Sequence, residues 1–487
     1  MAEAPAGGGT PPTPSSRPNT TADNATRSSL YAGPLSRAMT VFWLMFAVNA
    51  VNYLDRLLAV AVGPTLKAQF HLTDRDVGLL SSAFLLVYTL AAIPLGLLAD
   101  RVARAKVVAV GLMIWSLASG ATAFVGGFFG LFATRAAVGI GEASYYPAGT
   151  ALLSAHFPLR ARARVMSRWG AGQLVGIALA FALGGALIHW LGPDRGWRVA
   201  FLCAALPGLL LALVIARVPE APIAGEASND PQAAAAIAGQ HPEAAPSAGS
   251  GARRQRRASV RTSLAGMRAV LGIRTVWLVT FLQALIFAAT TPAVAFLPIY
   301  VRSPAGPFRL NAEEAAVLMG LIVVAGGLAG QLLGGNLADW LSRRIVGGRV
   351  LVAPLGFALA LPVYAGMLLA HSLPLFALSG TLAVLALTLP AGPLTAATQD
   401  ATPPMLRATA VAVTLLLSHL LGDVWAPSVV GAISTALHER TGVALLIVGV
   451  PTLLVGGIIG ILGASIYARD LAPRRAVATR QGKESAQ

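Results

Sequence analysis

The feature that most limits what this chain can become is a motif it carries twice, Gly-x-x-x-Asp-x-x-x-Arg, each time where an apolar run ends. One copy places Gly96, Asp100, Arg101 and Arg104 in register, and the other Gly335, Asp339 and Arg343. A second pair of segments keeps the same order, Leu159-Arg160-Ala161-Arg162-Ala163 against Leu406-Arg407-Ala408-Thr409-Ala410. Gly176 and Gly185 follow the first of these, and Gly422 and Gly431 follow the second at near-identical register. A membrane chain built from two related halves is the layout of a secondary transporter, with its substrate site between the halves.

Composition says which solvent the repeat is built for. Of 487 residues, 56% are apolar and only 11% charged, and the mean hydropathy is +0.69. A soluble chain carries about 25% charged residues, so this one is made for lipid. A helix crosses the bilayer with about 20 apolar residues. Runs of that kind lie near 40–64, 77–99, 107–125, 128–155, 165–191 and 197–216, then near 275–301, 314–338, 349–370, 373–398, 407–437 and 442–467. The expected fold is an all-α membrane protein of twelve transmembrane helices in two pseudo-symmetric six-helix bundles. With both termini cytoplasmic, most of the 36 Lys and Arg fall in cytoplasmic loops and tails, as the positive-inside rule requires.

The bundles are expected at 39–216 and 273–467. Residues 1–38, rich in Pro, Thr, Ser, Gly and Ala, read as a disordered cytoplasmic tail rather than a signal peptide, and 468–487 as a second tail. Between the bundles, 217–272 is a cytoplasmic linker ending in Arg253-Arg254-Gln255-Arg256-Arg257. The stretch Leu264–Trp277 reads either as an amphipathic helix on the inner leaflet or as plain solvated linker. The net charge of +16 sits in loops between apolar runs, which points to membrane lipids as partners and away from nucleic acid. A lone Cys203 excludes a disulfide framework, and no Cys/His cluster suggests a metal. No nucleophile elbow or phosphate loop occurs, so neither enzymatic activity nor a cofactor is expected. The Ala- and Arg-rich, Lys-poor usage suggests a GC-rich bacterial genome, hence a multi-pass protein of a bacterial plasma (inner) membrane, expected as a monomer.

The repeated loops suggest a gate. Asp100 and Asp339 each close a helix descending to the cytoplasm, where a carboxylate opposes the helix macrodipole and needs a partner elsewhere. Runs 5 and 11 begin at that face just after Arg160 and Arg407, whose guanidinium groups suit Asp339 and Asp100 respectively. Such cross-half bonds would hold the cytoplasmic side shut. Gly96 and Gly335 would let neighbouring helices approach closely. The alternative is a pair of ordinary positive-inside loops.

Charges inside the apolar runs carry the chemistry. Run 1 contains Asn49, Asn52, Tyr53, Asp55 and Arg56; run 4 contains Arg135, Glu142 and Tyr145. Arg135 and Glu142 are two helical turns apart, on one face, with an axial offset of ~10 Å. Intramembrane charge costs at least ~2.5–3.5 kcal/mol per residue, so it is paired and lines a cavity. The expected arrangement has runs 1 and 4 facing each other, Asp55 near Arg135 and Glu142 within reach of Arg56. Two cations with two carboxylates suit an anionic group and a proton; the plain alternative is an ion-pair cluster that only ties two helices. Run 7 offers Phe281, Gln283, Phe287, Thr290 and Thr291, and run 10 Ser379, Thr381 and Thr388. A cavity charged on one wall and apolar on the other suits an amphipathic anion. Run 11 adds His419 and Asp423; Asp423 either binds a proton or caps a helix broken at Pro427.

The paired loops and twelve runs resemble the major facilitator superfamily across 40–467. Within it the chain resembles the Spinster family of lipid transporters. That resemblance rests on Asn52-Tyr53-Leu54-Asp55-Arg56, on Arg135 through Ala143, on Gly196 through Phe201, on Leu206 through Leu210, and on Gly422-Asp423 through Pro427. It implies proton-coupled movement of lysophospholipids or sphingosine-phosphate-like lipids by alternating access, with roles for Asp55, Arg56, Arg135 and Glu142. Organic-anion symporters of the hexuronate and phthalate type share the Asn-Tyr-x-Asp-Arg opening, so proton-coupled uptake of small organic anions is the alternative. One departure is Ala103, which stands where the family has Gly before the loop Arg.

Overall fold

The computed structural model describes residues 35–99, 102–157, 159–218, 266–303, 306–403 and 406–484. Among the described residues, ten helical segments are long and apolar enough to cross a membrane. One of them, Arg168–Ile215, makes two passes, because its backbone reverses at Gly192 (φ 77°, ψ 167°), a left-handed position that favours glycine. The charged segment Phe128–His156, interrupted at Ser144, is a further pass, so ten segments plus these two make twelve spans.

Helix is the form this backbone must take in lipid, where only intrahelical bonds satisfy its polar groups. Span 1 is Leu35–Ala61, followed by a short helix Gly63–Gln69 that opens on Pro64. Spans 2 and 3 are Asp74–Ala99 and Arg104–Thr122, and span 4 is Phe128–Ala143 with Tyr145–His156. Spans 5 and 6 share Leu159–Ile215. In the second half, spans 7, 8 and 9 are Arg274–Arg302, Ala312–Arg344 and Gly348–Leu368. Span 10 is Leu373–Thr388 with Ala391–Ala401, span 11 Arg407–Leu421 with Ala426–Ala436, and span 12 Thr441–Glu484. The last helix passes the expected bundle end at 467 through a run rich in strong helix formers.

The repeat seen in the sequence reappears in the packing. Gly176 of span 5 lies against the Ala50 carbonyl of span 1, and Gly422, at the break in span 11, against the Ala284 carbonyl of span 7. Nine residues on, Gly185 meets Ala316 of span 8 and Gly431 meets the Asp74 carbonyl of span 2. So one glycine of each pair seats its helix within a half, and the other seals it against the opposite half. Spans 2 and 8 are also matched at their starts. Thr73 and Asp76 exchange bonds at the first, and Asn311 and Glu314 form a capping box at the second. Large apolar side chains such as Phe129, Leu321 and Leu462 point outwards, as a lipid-facing surface demands.

Most of the expected linker, 219–265, lies outside the described residues, as do residues 1–34 of the N-terminal tail. Of the stretch 264–277, residues 266–271 form a helical turn that ends at Gly272, and span 7 begins at Arg274. Val270 is buried against Val276, Ala410 and Val413, while Arg268 and Arg274 are exposed. The apolar side of this turn therefore packs on the start of span 11.

Candidate functional site

Close backbone packing brings the charged residues together. Gly141 of span 4 sits against Gly111 and Trp115 of span 3, so close that a Cβ there would come within 2.7 Å of the Gly111 carbonyl oxygen. Span 5 is held to span 1 by Asn49, which donates to the Trp169 carbonyl at 2.8 Å, and by Trp169, whose ring N–H donates to the Met45 carbonyl at 3.0 Å. These contacts, with the Ser119–Asp55 bond between spans 3 and 1, join spans 1, 3, 4 and 5 in one wall.

On that wall Arg56 donates through Nη2 and Nε to Glu142 Oε2 at 2.7 and 3.1 Å. Its guanidinium also lies 5.5, 5.1 and 4.9 Å from the ring centres of Tyr53, Phe84 and Tyr88. Asn52 is buried beside Glu142. Asp55, with no exposure at all, accepts from the Ser119 hydroxyl at 2.7 Å. Arg135 donates to Thr122 Oγ1 at 3.1 Å and stands over Phe201, 5.2 Å from the ring centre. Asp55 and Arg135 lie within each other's field without a direct ion pair. The pairing read from the sequence, Arg56 with Glu142 and Asp55 near Arg135, is the arrangement found.

A cavity of about 260 Å³ opens on Arg56 and Arg135, with Asp55 and Glu142 outside its lining. Arg56 and Arg135 line it from the first half, together with Leu57, Val60, Leu80, Phe84 and Leu131; Thr290, Thr291, Val294, Ala295 and Asp423 line it from the second. Its surface is mostly apolar, with cations on one side and one buried carboxylate on the other. Asp423 lies in the break between the two helices of span 11, where His419 Nδ1 meets Asp423 Oδ2 at 2.8 Å. The His419 ring stacks on Phe287 at 4.6 Å and presents an edge to Tyr88 of span 2 at 6.5 Å. Aromatic contact therefore joins the two halves beside the charges.

Other expected residues lie elsewhere. Tyr145 is buried among Trp115, Trp169 and Met45 and lies off the cavity lining. Phe281 is exposed and packs on Trp277, and Gln283 is held by Ser418 at 3.3 Å. The hydroxyls of Thr381 and Thr388 return to carbonyls of their own helix.

At the cytoplasmic side, Asp100 and Arg101 lie outside the described residues, as does the side chain of Arg160. Gly96 touches Pro147 of span 4 at ordinary contact distance, whereas Gly335 faces open space. Arg104 begins span 3; Asp339 and Arg343 are exposed at the end of span 8. Arg407 donates to the Gln399 carbonyl at 3.1 Å, within its own half.

Bonds between the halves are found at the opposite, outer face. Lys67, on the helix after span 1, bonds both Asp74 at the start of span 2 and Glu439 between spans 11 and 12. Ser434 and Thr441 also donate to Asp74, and Glu439 accepts from the Asp74 N–H at 3.3 Å. Burial works against the Lys67 ammonium, but Asp74 and Glu439 outweigh it and hold its pKa above the usual lysine value. Arg302 reaches Thr65 at 3.2 Å, and His189 meets Glu313 at 3.1 Å, adding two more cross-half contacts. This outer tie was not read from the sequence, because its charges lie in loops where charge is ordinary. The only trace is how close Lys67, Asp74 and Asp76 stand to a span boundary.

Residues 45–427 match the family model described as Major Facilitator Superfamily. Protein spinster of Drosophila melanogaster is 28% identical over 83% of this chain and 63% of its own length, so this chain spans just under two thirds of that relative. An MFS-type efflux pump of Mycolicibacterium smegmatis is 30% identical over 89% of this chain and 94% of its own. A probable galactarate/D-glucarate transporter of Bacillus subtilis is 27% identical over 70% of this chain and 72% of its own. Among solved structures, an inward-facing bacterial homologue of the human lysosomal transporter Spinster superposes with a TM-score of 0.71. It is 21% identical and covers 90% of this chain and 98% of its own.

Proposed function

Because the chain belongs to the Major Facilitator Superfamily, as a Spinster-like multi-pass membrane transporter, we propose that it moves an amphipathic anion, a lysophospholipid or sphingosine-phosphate-like lipid, by proton-coupled alternating access. The observation that carries this reading is the mostly apolar cavity between the halves, with Arg56 and Arg135 on one wall. An anionic head pairs with the guanidinium groups while an acyl chain lies along the apolar lining. Neither interaction alone suffices in lipid, where an uncompensated charge is costly.

Proton coupling follows from the charge balance. With Asp55 and Glu142 ionised, both arginines are neutralised by the protein itself. Protonation of Glu142 releases the Arg56 guanidinium, and protonation of Asp55 removes the negative charge near Arg135, so proton and anion act on one balance. Asp423, with His419 beside it, is a third proton site on the opposite wall. The outer tie through Lys67, Asp74 and Glu439 closes one side of the cycle. Bonds from Arg160 to Asp339 and from Arg407 to Asp100 would close the other, with Gly96, Gly335, Arg101, Arg104 and Arg343 shaping those loops.

A bacterial plasma membrane fits the composition. A second reading, proton-coupled transport of small organic anions, is favoured by the galactarate/D-glucarate relative. The two are separated by binding to purified protein of a lysophospholipid and of glucarate, each repeated with Arg135→Ala. Lysolipid binding lost in the variant supports the first; selective binding of glucarate overturns it in favour of the second.

A further inference from the structure

Span 3 carries a strip of fully buried hydroxyls, Ser116, Ser119 and Thr122, at positions i, i+3 and i+6 of one helix face. Two of them reach charges on other helices. Ser119 donates to Asp55 Oδ1 on span 1 at 2.7 Å, and Thr122 accepts from Arg135 Nη2 on span 4 at 3.1 Å. Asp55 Oδ2 and Arg135 Nε make no hydrogen bond, and no ion pair joins the two residues. A buried carboxylate beside a buried guanidinium ordinarily closes on it, since each has lost its hydration. Here a hydroxyl stands at each partner instead.

We infer that Ser119 and Thr122 are positioning residues that keep Asp55 and Arg135 apart, so that Asp55 remains able to bind and release a proton rather than serving as a permanent counter-ion. This rests on the proton-coupled reading above. The two hydroxyls act on that proton in opposite directions. Ser119 donates to the carboxylate, and a donor favours the charged form. Thr122 gives Arg135 a neutral acceptor and so holds the cation off Asp55, which favours the uncharged form. The other groups facing Asp55 are Glu142 and Arg135 on span 4 and Trp115 on span 3. Arg56, next along span 1, is turned to Glu142. Span 6 presents the Phe201 ring to Arg135, and its Arg198 donates to the carbonyl of Ala123, the residue after Thr122.

The test is infrared difference spectroscopy of the purified full chain in lipid nanodiscs, titrated with pH. Asp55→Asn identifies the Asp55 carboxyl band. The band midpoint is expected to rise in Ser119→Ala and to fall in Thr122→Val, each by roughly one to two pH units, the size of one hydrogen bond to a charged group. Ser119→Thr, which restores the hydroxyl, returns the midpoint. Should the alanine variant fail to insert, Ser119→Cys, a weak donor, gives the same upward direction. Midpoints that stay put, or that move the same way in both variants, overturn the inference and leave proton coupling at Asp55 standing. A parent protein with no titrating Asp55 band overturns both.

Discussion

Arg56 joins more of the site than any other side chain, bonding Glu142 while three aromatic rings surround its guanidinium. A lysine keeps the charge but not the planar fork or the stacking. Arg56→Lys is expected to weaken lysophospholipid binding at least ten-fold, measured by titration of the purified protein. Removing the other partner has a different signature. Glu142→Gln leaves the fold intact but is expected to abolish transport driven by a pH gradient, while exchange at equal pH persists; unchanged pH dependence would take Glu142 out of that role. At the outer tie, the raised pKa of Lys67 fixes the sign of its pH effect. A group raised on folding contributes fully below its ordinary value and is lost only as pH rises through its folded value. The spin-label distance between the outer ends of spans 2 and 11 is therefore expected to stay short up to the ordinary lysine range and to lengthen only at stronger alkalinity. Intramembrane charges were legible from the sequence because nothing in an apolar run hides them. Ser119 and Thr122 were not, since small hydroxyls are common in membrane helices and only the fold shows which ones meet a charge.

Helix-scale behaviour turns on the glycine contacts that seal the outer ends of spans 2 and 11 and of spans 5 and 8. A Cβ at Gly431 would come within 2.3 Å of the Asp74 carbonyl oxygen, a backbone atom that cannot step aside. Overpacking of this kind costs ~1–3 kcal/mol. Gly431→Val is therefore expected to shift the population towards an outward-open state by about ten-fold, read as a longer spin-label distance between spans 2 and 11. Gly185→Val should do the same more weakly, because its neighbour is the Ala316 side chain. The spans were legible in the sequence to within several residues, chiefly through length and apolarity, except that the last helix runs on to Glu484, well past the expected end at 467. Interruptions at Ser144 and between Thr388 and Ala391 were not, although Pro147 follows the first by three residues, because a helix can absorb a proline, as it does at Pro94 and Pro207. The break in span 11 was half visible through Pro427, but it opens earlier, at Gly422, where the backbone meets Ala284.

At the scale of the molecule, the two halves share a scaffold and divide the chemistry. The first carries the paired charges; the second offers apolar lining, hydroxyls and the His419–Asp423 pair. Purified protein in liposomes is expected to move lysophospholipid when an inward proton gradient is applied and to stop when the gradient is collapsed; movement indifferent to the gradient would remove coupling from the account. The placement of the charges has an electrical consequence. Arg56, Glu142, Asp55 and Arg135 all sit on helices of one bundle and keep their neighbours when that bundle tilts as a body. Little protein charge then crosses the field, where each elementary charge is worth ~2.3 kcal/mol per 100 mV. Net current per turnover then reduces to the cargo's own charge plus that of any hydrogen ions moving with it, and the voltage at which that current reverses counts them directly.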